Sequence, residues 1–171
     1  MNIFPINKDV KICAIESCDQ HIVKIPSEAV LIYSSALHNI NKELWNKIPE
    51  QFQWGPINIP LVKWAENYDN RMWLAFYIYE LHKEYQYRFG PKEHKAYSAF
   101  CYLARLFKEM PYVDIFDYKK DLDFVTCMPD MFKVDDSIES YLNYYTFKYF
   151  EGFKRPMRWT KRKKPEFLLD K

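Results

Sequence analysis

Apolar residues recur at helical spacing through most of the chain, and no stretch alternates apolar with polar positions for long enough to read as a sheet strand. The pattern predicts an all-α protein. Asn7 is placed to cap a short helix ending near Ser17, and Asp19 to cap a second whose apolar positions include Ile22, Ile25, Ala29, Ile32 and Ala36. Pro26 falls inside that second helix, removes the bond to the Ile22 carbonyl, and predicts a kink or a restart. Residues 39–60, with Pro49, Gly55, Pro56 and Pro60, predict a connecting loop holding one helical turn around Lys42 to Lys47. Pro60 opens a helix through Lys63 and Trp64. Asp69 or Asn70 then caps the long run MWLAFYIYELHKEYQYRF, which stops at Gly90 and Pro91. Its apolar residues lie nearly all round, the pattern of a helix buried at the centre of a bundle.

A further helix is predicted from about Glu93 to Met110, then a long loop from Pro111 to Val134. Asp136, with Glu139 three positions on, opens a last helix, ESYLNYYTFKYF. The expected architecture is a compact single-domain helical bundle over residues 1–151 with long connecting loops, followed by a C-terminal tail at 152–171. A length of 171 residues suffices for a core without metals or disulfides.

Charge changes the picture at that tail. Lys154, Arg155, Arg158, Lys161, Arg162, Lys163 and Lys164 fall between Gly152 and Pro165 with no acid among them. Outside that run the chain holds 18 bases against 23 acids, a net charge of −5. A mildly acidic body with a concentrated basic run around Trp159 fits a protein that touches phosphate, or one that ends in a solvated, flexible terminus. Aromatic residues make up 19% of the chain, enough to supply base-stacking surfaces as well as core. Cys13, Cys18, Cys101 and Cys127 show neither CxxC nor zinc spacing, so reduced structural thiols are expected and no metal. No signal-peptide pattern and no run of eighteen apolar residues is present, so a cytoplasmic protein without a membrane partner is expected.

His21, Lys24 and Glu28 form the sharpest local arrangement. At 100° per residue the second and third lie about 60° and 20° from the first, which puts an imidazole, an amine and a carboxylate on one stripe. The competing reading is a solvated face with an ordinary i,i+4 ion pair. In the last helix Tyr141, Tyr144 and Tyr145 surround several faces near Lys148, as a stacking platform beside phosphate-neutralising charge or as packing against the preceding loop. Arg88 near a helix C-terminus is a cap or a ligand, and Lys63-Trp64 lines a groove or packs. Walker, GxGxxG, GxSxG and HExxH motifs are absent, which removes the usual support for kinase, NTPase, Rossmann and zincin readings. No cofactor is implied.

The segment Cys18-Asp19-Gln20-His21-Ile22-Val23-Lys24-Ile25-Pro26-Ser27-Glu28 resembles the DQH-then-Glu segment of the endonuclease V type pyrimidine-dimer DNA glycosylases of T-even phages, which are small all-α proteins. Tyr144-Tyr145 followed by Lys148 is similar to that family's C-terminal aromatic helix. Over nearly its whole length the chain also resembles an uncharacterised group of phage-encoded helical proteins, through Cys18 to Glu28, Lys63-Trp64, Tyr87 to Gly90, Met128 to Asp130, Glu139 to Tyr145 and Trp159 to Pro165. The first resemblance implies that Glu28 matches the catalytic carboxylate and His21 a DNA-contacting histidine. It further implies attack on C1′ by the N-terminal α-amine after removal of Met, followed by an imine and strand cleavage. The chain departs from the family at Asn2, which is larger than the side chains that normally permit Met excision: either the N-terminus is processed after all, or the chemistry differs, or the scaffold has lost it.

These observations lead to a phage-type DNA-binding enzyme, a glycosylase/lyase-like hydrolase of base excision acting on a damaged or modified nucleotide. His21, Lys24 and Glu28 are its expected catalytic residues. Lys63, Trp64, Arg88, Tyr141, Tyr144, Tyr145, Lys148, Arg155, Arg158, Trp159, Lys161 and Arg162 are its expected nucleic-acid contacts. Two alternatives stay open: a non-catalytic phage protein that binds nucleic acid, a nucleotide or a host protein, and a structural helical protein with an inert tail.

Overall fold

The computed structural model describes residues 1–110, 122–152 and 155–169, and among them the fold is all-α with no sheet strand. In chain order the helices are α1 (Val10–Glu16), α2 (Asp19–Ile40), α3 (Lys42–Trp45), α4 (Pro60–Ala65), α5 (Tyr68–Phe89), α6 (Lys95–Leu106) and α7 (Ser137–Phe147). Single 3₁₀ turns occur at Glu50–Phe52, Asp130–Phe132 and Glu166–Leu168, and α7 passes into a π turn, Lys148–Gly152.

Local chemistry sets the boundaries. Asp9, rather than Asn7, caps α1 by accepting from the amides of Lys11 and Ile12, while Asn7 supports the Asp9 amide. Asn67 caps α5 two residues before the expected position, and Gly90 ends it with φ of 99°, a backbone conformation that a Cβ disfavours. Asp136 accepts from the Glu139 amide at 2.9 Å, as the capping pattern predicts. At the start of α6 the ring of His94 accepts from the Ala96 amide. Helix α2 does not restart at Pro26; it runs through as one element with the proline ring buried. Of the loop expected from Pro111 to Val134, residues 111–121 lie outside the described residues, and 122–134 are irregular except for the 3₁₀ turn.

Helix α5 packs on α1, α2, α4 and α6, the central place its all-round apolar pattern predicts. Trp73 is fully buried on it, donates to the Lys8 carbonyl at 2.8 Å, and meets Trp64 and Phe124 edge-on. A buried polar knot ties three helices together. Arg71 of α5 grips Glu109 just beyond α6 at 2.7 Å, and Tyr33 of α2 donates to the same carboxylate at 3.0 Å.

The C-terminal segment is docked. Trp159 donates its indole N–H to the Glu16 carbonyl at 2.8 Å, and the Asp19 amide donates to the Arg158 carbonyl at 2.8 Å. Thr160 bonds the Asp19 carboxylate, and Arg162 holds Glu84 through two bonds of 2.8 Å each. Residues 155–169 therefore lie along the α1–α2 corner and the end of α5, so the alternative of a trailing, flexible terminus does not describe them. Among the described residues, no helix is long and apolar enough to cross a membrane.

Candidate functional site

The N-terminal residues cross α2 and close the space between it and α7. Phe4 is the keystone of this crossing. Its ring stacks on His21 with centroids 4.5 Å apart and on Tyr144 at 5.7 Å, and it meets Tyr145 edge-on at 5.9 Å. Its φ of 44° is uncommon for an aromatic residue, and the rings around it hold that conformation in place.

This crossing brings the chain's start to the α2 carboxylate. The Asn2 backbone nitrogen donates to Glu28 Oε2 at 2.7 Å, and Lys24 Nζ lies 3.0 Å from Glu28 Oε1. One carboxylate thus takes a nitrogen on each oxygen. The Glu28 side chain is 15% exposed and that of Lys24 74% exposed, so the carboxylate sits in a recess and the ammonium stands at its mouth. The Asn2 side chain donates to the Cys127 carbonyl at 2.7 Å and accepts from the Phe4 amide at 3.0 Å. Burial raises the pKa of the Cys127 thiol, and the chain's own α-ammonium opposes that rise, which reports how near the terminus lies to the 127 loop.

Lys148 joins the rings around Phe4. Its ammonium lies 5.0 Å from the Tyr144 ring centroid and 6.0 Å from that of Phe4, within cation–π range. Tyr144 is half-buried and also meets Phe132 at 5.2 Å. Glu28, Lys24 and the Asn2 nitrogen thus form one cluster on α2, and Tyr144 and Lys148 form a second around Phe4, two residues further along the same N-terminal crossing.

Several expected site residues are used elsewhere. His21 is buried beneath Phe4, and burial, with the charges of Lys148 and Lys24 adding to it, lowers its pKa to about 3; it is a neutral packing ring and not a DNA contact. The expected catalytic stripe therefore splits, because the N-terminal crossing covers the His21 end and leaves Lys24 and Glu28 open. Tyr141 and Tyr145 have no exposed surface. The Tyr141 hydroxyl donates to the Val125 carbonyl at 2.7 Å, and that of Tyr145 accepts from the Cys18 amide at 2.7 Å, so neither ring is open to a base. Arg88 is equally closed, with a fully buried side chain bonded to Glu84, Asp19 and the carbonyls of Ser17 and Ile15.

Trp64 is buried and donates to the Asp123 carbonyl at 2.8 Å, while Lys63 is exposed and paired with Glu66. Trp159 is half-buried and pins the C-terminal segment; Arg162 is spent on Glu84 and lies over the Tyr87 ring at 4.2 Å. Lys161 remains exposed while donating to the Tyr87 carbonyl. Arg155 and Arg158 are exposed, as is Lys163, and the Arg158 carbonyl anchors the first residue of α2.

Sequence reasoning missed Phe4 and the 127 loop. Their roles come from contacts 17 and 125 residues away along the chain, which leave no periodic trace. Among the described residues, no group of three or more His, Cys, Asp or Glu side chains is placed to hold a metal ion. No protein-family model matches the chain, and no curated protein or solved structure matches it significantly.

Proposed function

We propose that the chain is a DNA glycosylase/lyase acting on a damaged or modified nucleotide, with the nitrogen of Asn2 as nucleophile once Met1 is removed and Glu28 as its acid–base partner. The observation that carries the reading is the 2.7 Å contact between the Asn2 nitrogen and Glu28 Oε2. With Met1 attached that nitrogen is an amide. Hydrolysis of the Met1–Asn2 bond turns it into an α-amine, whose proton the adjacent Glu28 carboxylate is placed to take.

In this reaction the amine attacks C1′. The bond from C1′ to the base breaks, and its electron pair leaves with the base, which takes up a proton. Glu28 accepts a proton from the new C–N⁺ centre and passes it to O4′ as the sugar opens, leaving an imine between C1′ and the Asn2 nitrogen. The carboxylate then removes a proton from C2′, and the electrons expel the 3′ phosphate oxygen, cutting the strand. Water hydrolyses the imine and returns the amine. Lys24, beside the carboxylate and open to solvent, suits a flanking phosphate; Tyr144 and Lys148 suit the nucleotide's base and backbone.

A second reading is a non-catalytic nucleic-acid binder, and it is favoured if Asn2 keeps its methionine, because Glu28 then has Lys24 beside it but no α-amine. The test is borohydride trapping on duplexes with abasic sites or ultraviolet lesions, using protein whose first residue is Asn2 as verified by intact mass. A covalent adduct that is lost in Glu28→Gln supports the enzyme; salt-sensitive retention of DNA without any adduct supports the binder.

A further inference from the structure

We infer that the carboxamide of Asn2 is the positioning group that aims its own backbone nitrogen at Glu28, an inference that rests on the glycosylase/lyase reading. A nitrogen at a chain terminus is ordinarily mobile, because nothing precedes it to fix its direction. Here the side chain supplies the missing constraint. Oδ1 accepts from the Phe4 amide at 3.0 Å, and Nδ2 donates to the Cys127 carbonyl at 2.7 Å. The two bonds leave opposite ends of one planar group, one to the residue two positions on and one to a loop across the fold. Both side-chain torsions are fixed by them, and with them the Cα from which the nitrogen projects.

The chemistry of the two anchors selects this residue type. Phe4 presents an N–H and needs an acceptor, while Cys127 presents a carbonyl and needs a donor, so only the amide orientation described here satisfies both. Asp has the same shape but no donor, and sets a carboxylate against a carbonyl. Gln has both groups but an extra methylene, which shifts the nitrogen. Gly and Ala, which favour removal of the initiator methionine, offer neither bond, and Ser and Thr carry a single short hydroxyl. The residue that makes Met1 slow to leave is therefore the one that holds the freed amine in place. Its burial, with 8% of its surface exposed, and the strained Phe4 two residues on show that the N-terminal turn is a built part of the fold.

The experiment uses full-length chains that begin with Asn, Ala or Asp at position 2, each released from a leader peptide by a site-specific protease and checked by mass. Single-turnover trapping on an abasic-site duplex, affinity for the same duplex and melting temperature are measured for each. The expected result is a trapping rate about 10- to 100-fold lower for Asn2→Ala and for Asn2→Asp, at unchanged affinity and with each chain still fully folded at the assay temperature. Equal trapping by the Asn-first and Ala-first chains overturns the positioning role alone. Failure of the Asn-first chain to trap at all overturns the glycosylase/lyase reading, and this inference with it.

Discussion

At the scale of single residues, burial decides what a polar side chain does, and residue type alone does not reveal burial. His21 occupies the position where an imidazole beside Lys24 and Glu28 suggests chemistry, yet Phe4 covers it and its pKa falls to about 3. A histidine held neutral in the folded state and free to protonate when unfolded makes the unfolded chain bind more protons. Stability therefore rises with pH between the two values and is lost as pH falls below about 6.5 toward 3, by about 1.4 kcal/mol per pH unit. Replacing His21 with Phe, which keeps a ring against Phe4, should leave stability near neutrality little changed and remove that slope; chemical denaturation of both proteins between pH 7 and 5 measures the difference. Arg88 is the opposite case, a charge kept buried because each nitrogen of its guanidinium meets an acceptor. Arg88→Met should cost about 3–5 kcal/mol in urea denaturation, since it strands Glu84 and Asp19 without their shared partner.

At the scale of elements, helix existence and stops were readable from local sequence, starts only to within one to three residues, since Asp9, Cys18 and Asn67 stand at the N-caps expected at Asn7, Asp19 and Asp69 or Asn70, and distant contacts were not readable. The Asp136 cap, the Gly90 stop, the Pro60 start and the central position of α5 all follow from neighbours within one or two turns. The fate of the C-terminal segment depends on Glu16, Asp19 and Glu84, which lie 143, 141 and 78 residues from their partners. Composition showed a basic run; it did not show that its Arg162 and its tryptophan are structural. Trp159→Ala removes both a half-buried ring and the bond to the Glu16 carbonyl, and should cost about 2–3 kcal/mol of stability. Its measurement by denaturation matters for binding work, because deletion of residues 152–171 also takes Thr160 from Asp19 and Arg162 from Glu84. A loss of DNA retention in the deleted chain would then mix unfolding with lost contacts. The same division separates α2 into an inner face, set by its apolar period, and an outer end whose meaning depends on the N-terminal crossing.

At the scale of the whole molecule, the proposed function turns on which of the basic charges are open to solvent and which are spent inside the fold. Arg88 and Arg162 are neutralised by Glu84 and Asp19, so they add little to an external field. The hydrogen bonds from Arg162 to Glu84 also raise the pKa of that guanidinium, which marks the pair as an internal fastening. Lys24 stands at the Glu28 recess, and Arg155, Arg158 and Lys163 are exposed on a segment whose backbone is bonded to the start of the same helix. The Asn2 backbone nitrogen and this outward charge are thus brought to α2, which carries the Glu28 carboxylate, from opposite ends of the chain. Each phosphate contact contributes about 0.9 to the slope of log affinity against log salt on duplex DNA. Joint replacement of Arg155, Arg158 and Lys163 by Ala should therefore flatten that slope by up to about 2.7 with no loss of melting temperature. Arg162→Ala should show the reverse, a lower melting temperature with the slope kept. Salt-dependent fluorescence anisotropy alongside thermal denaturation separates the two classes, and an identical effect of both substitutions on the slope would sink the distinction between fastening and contacting charge.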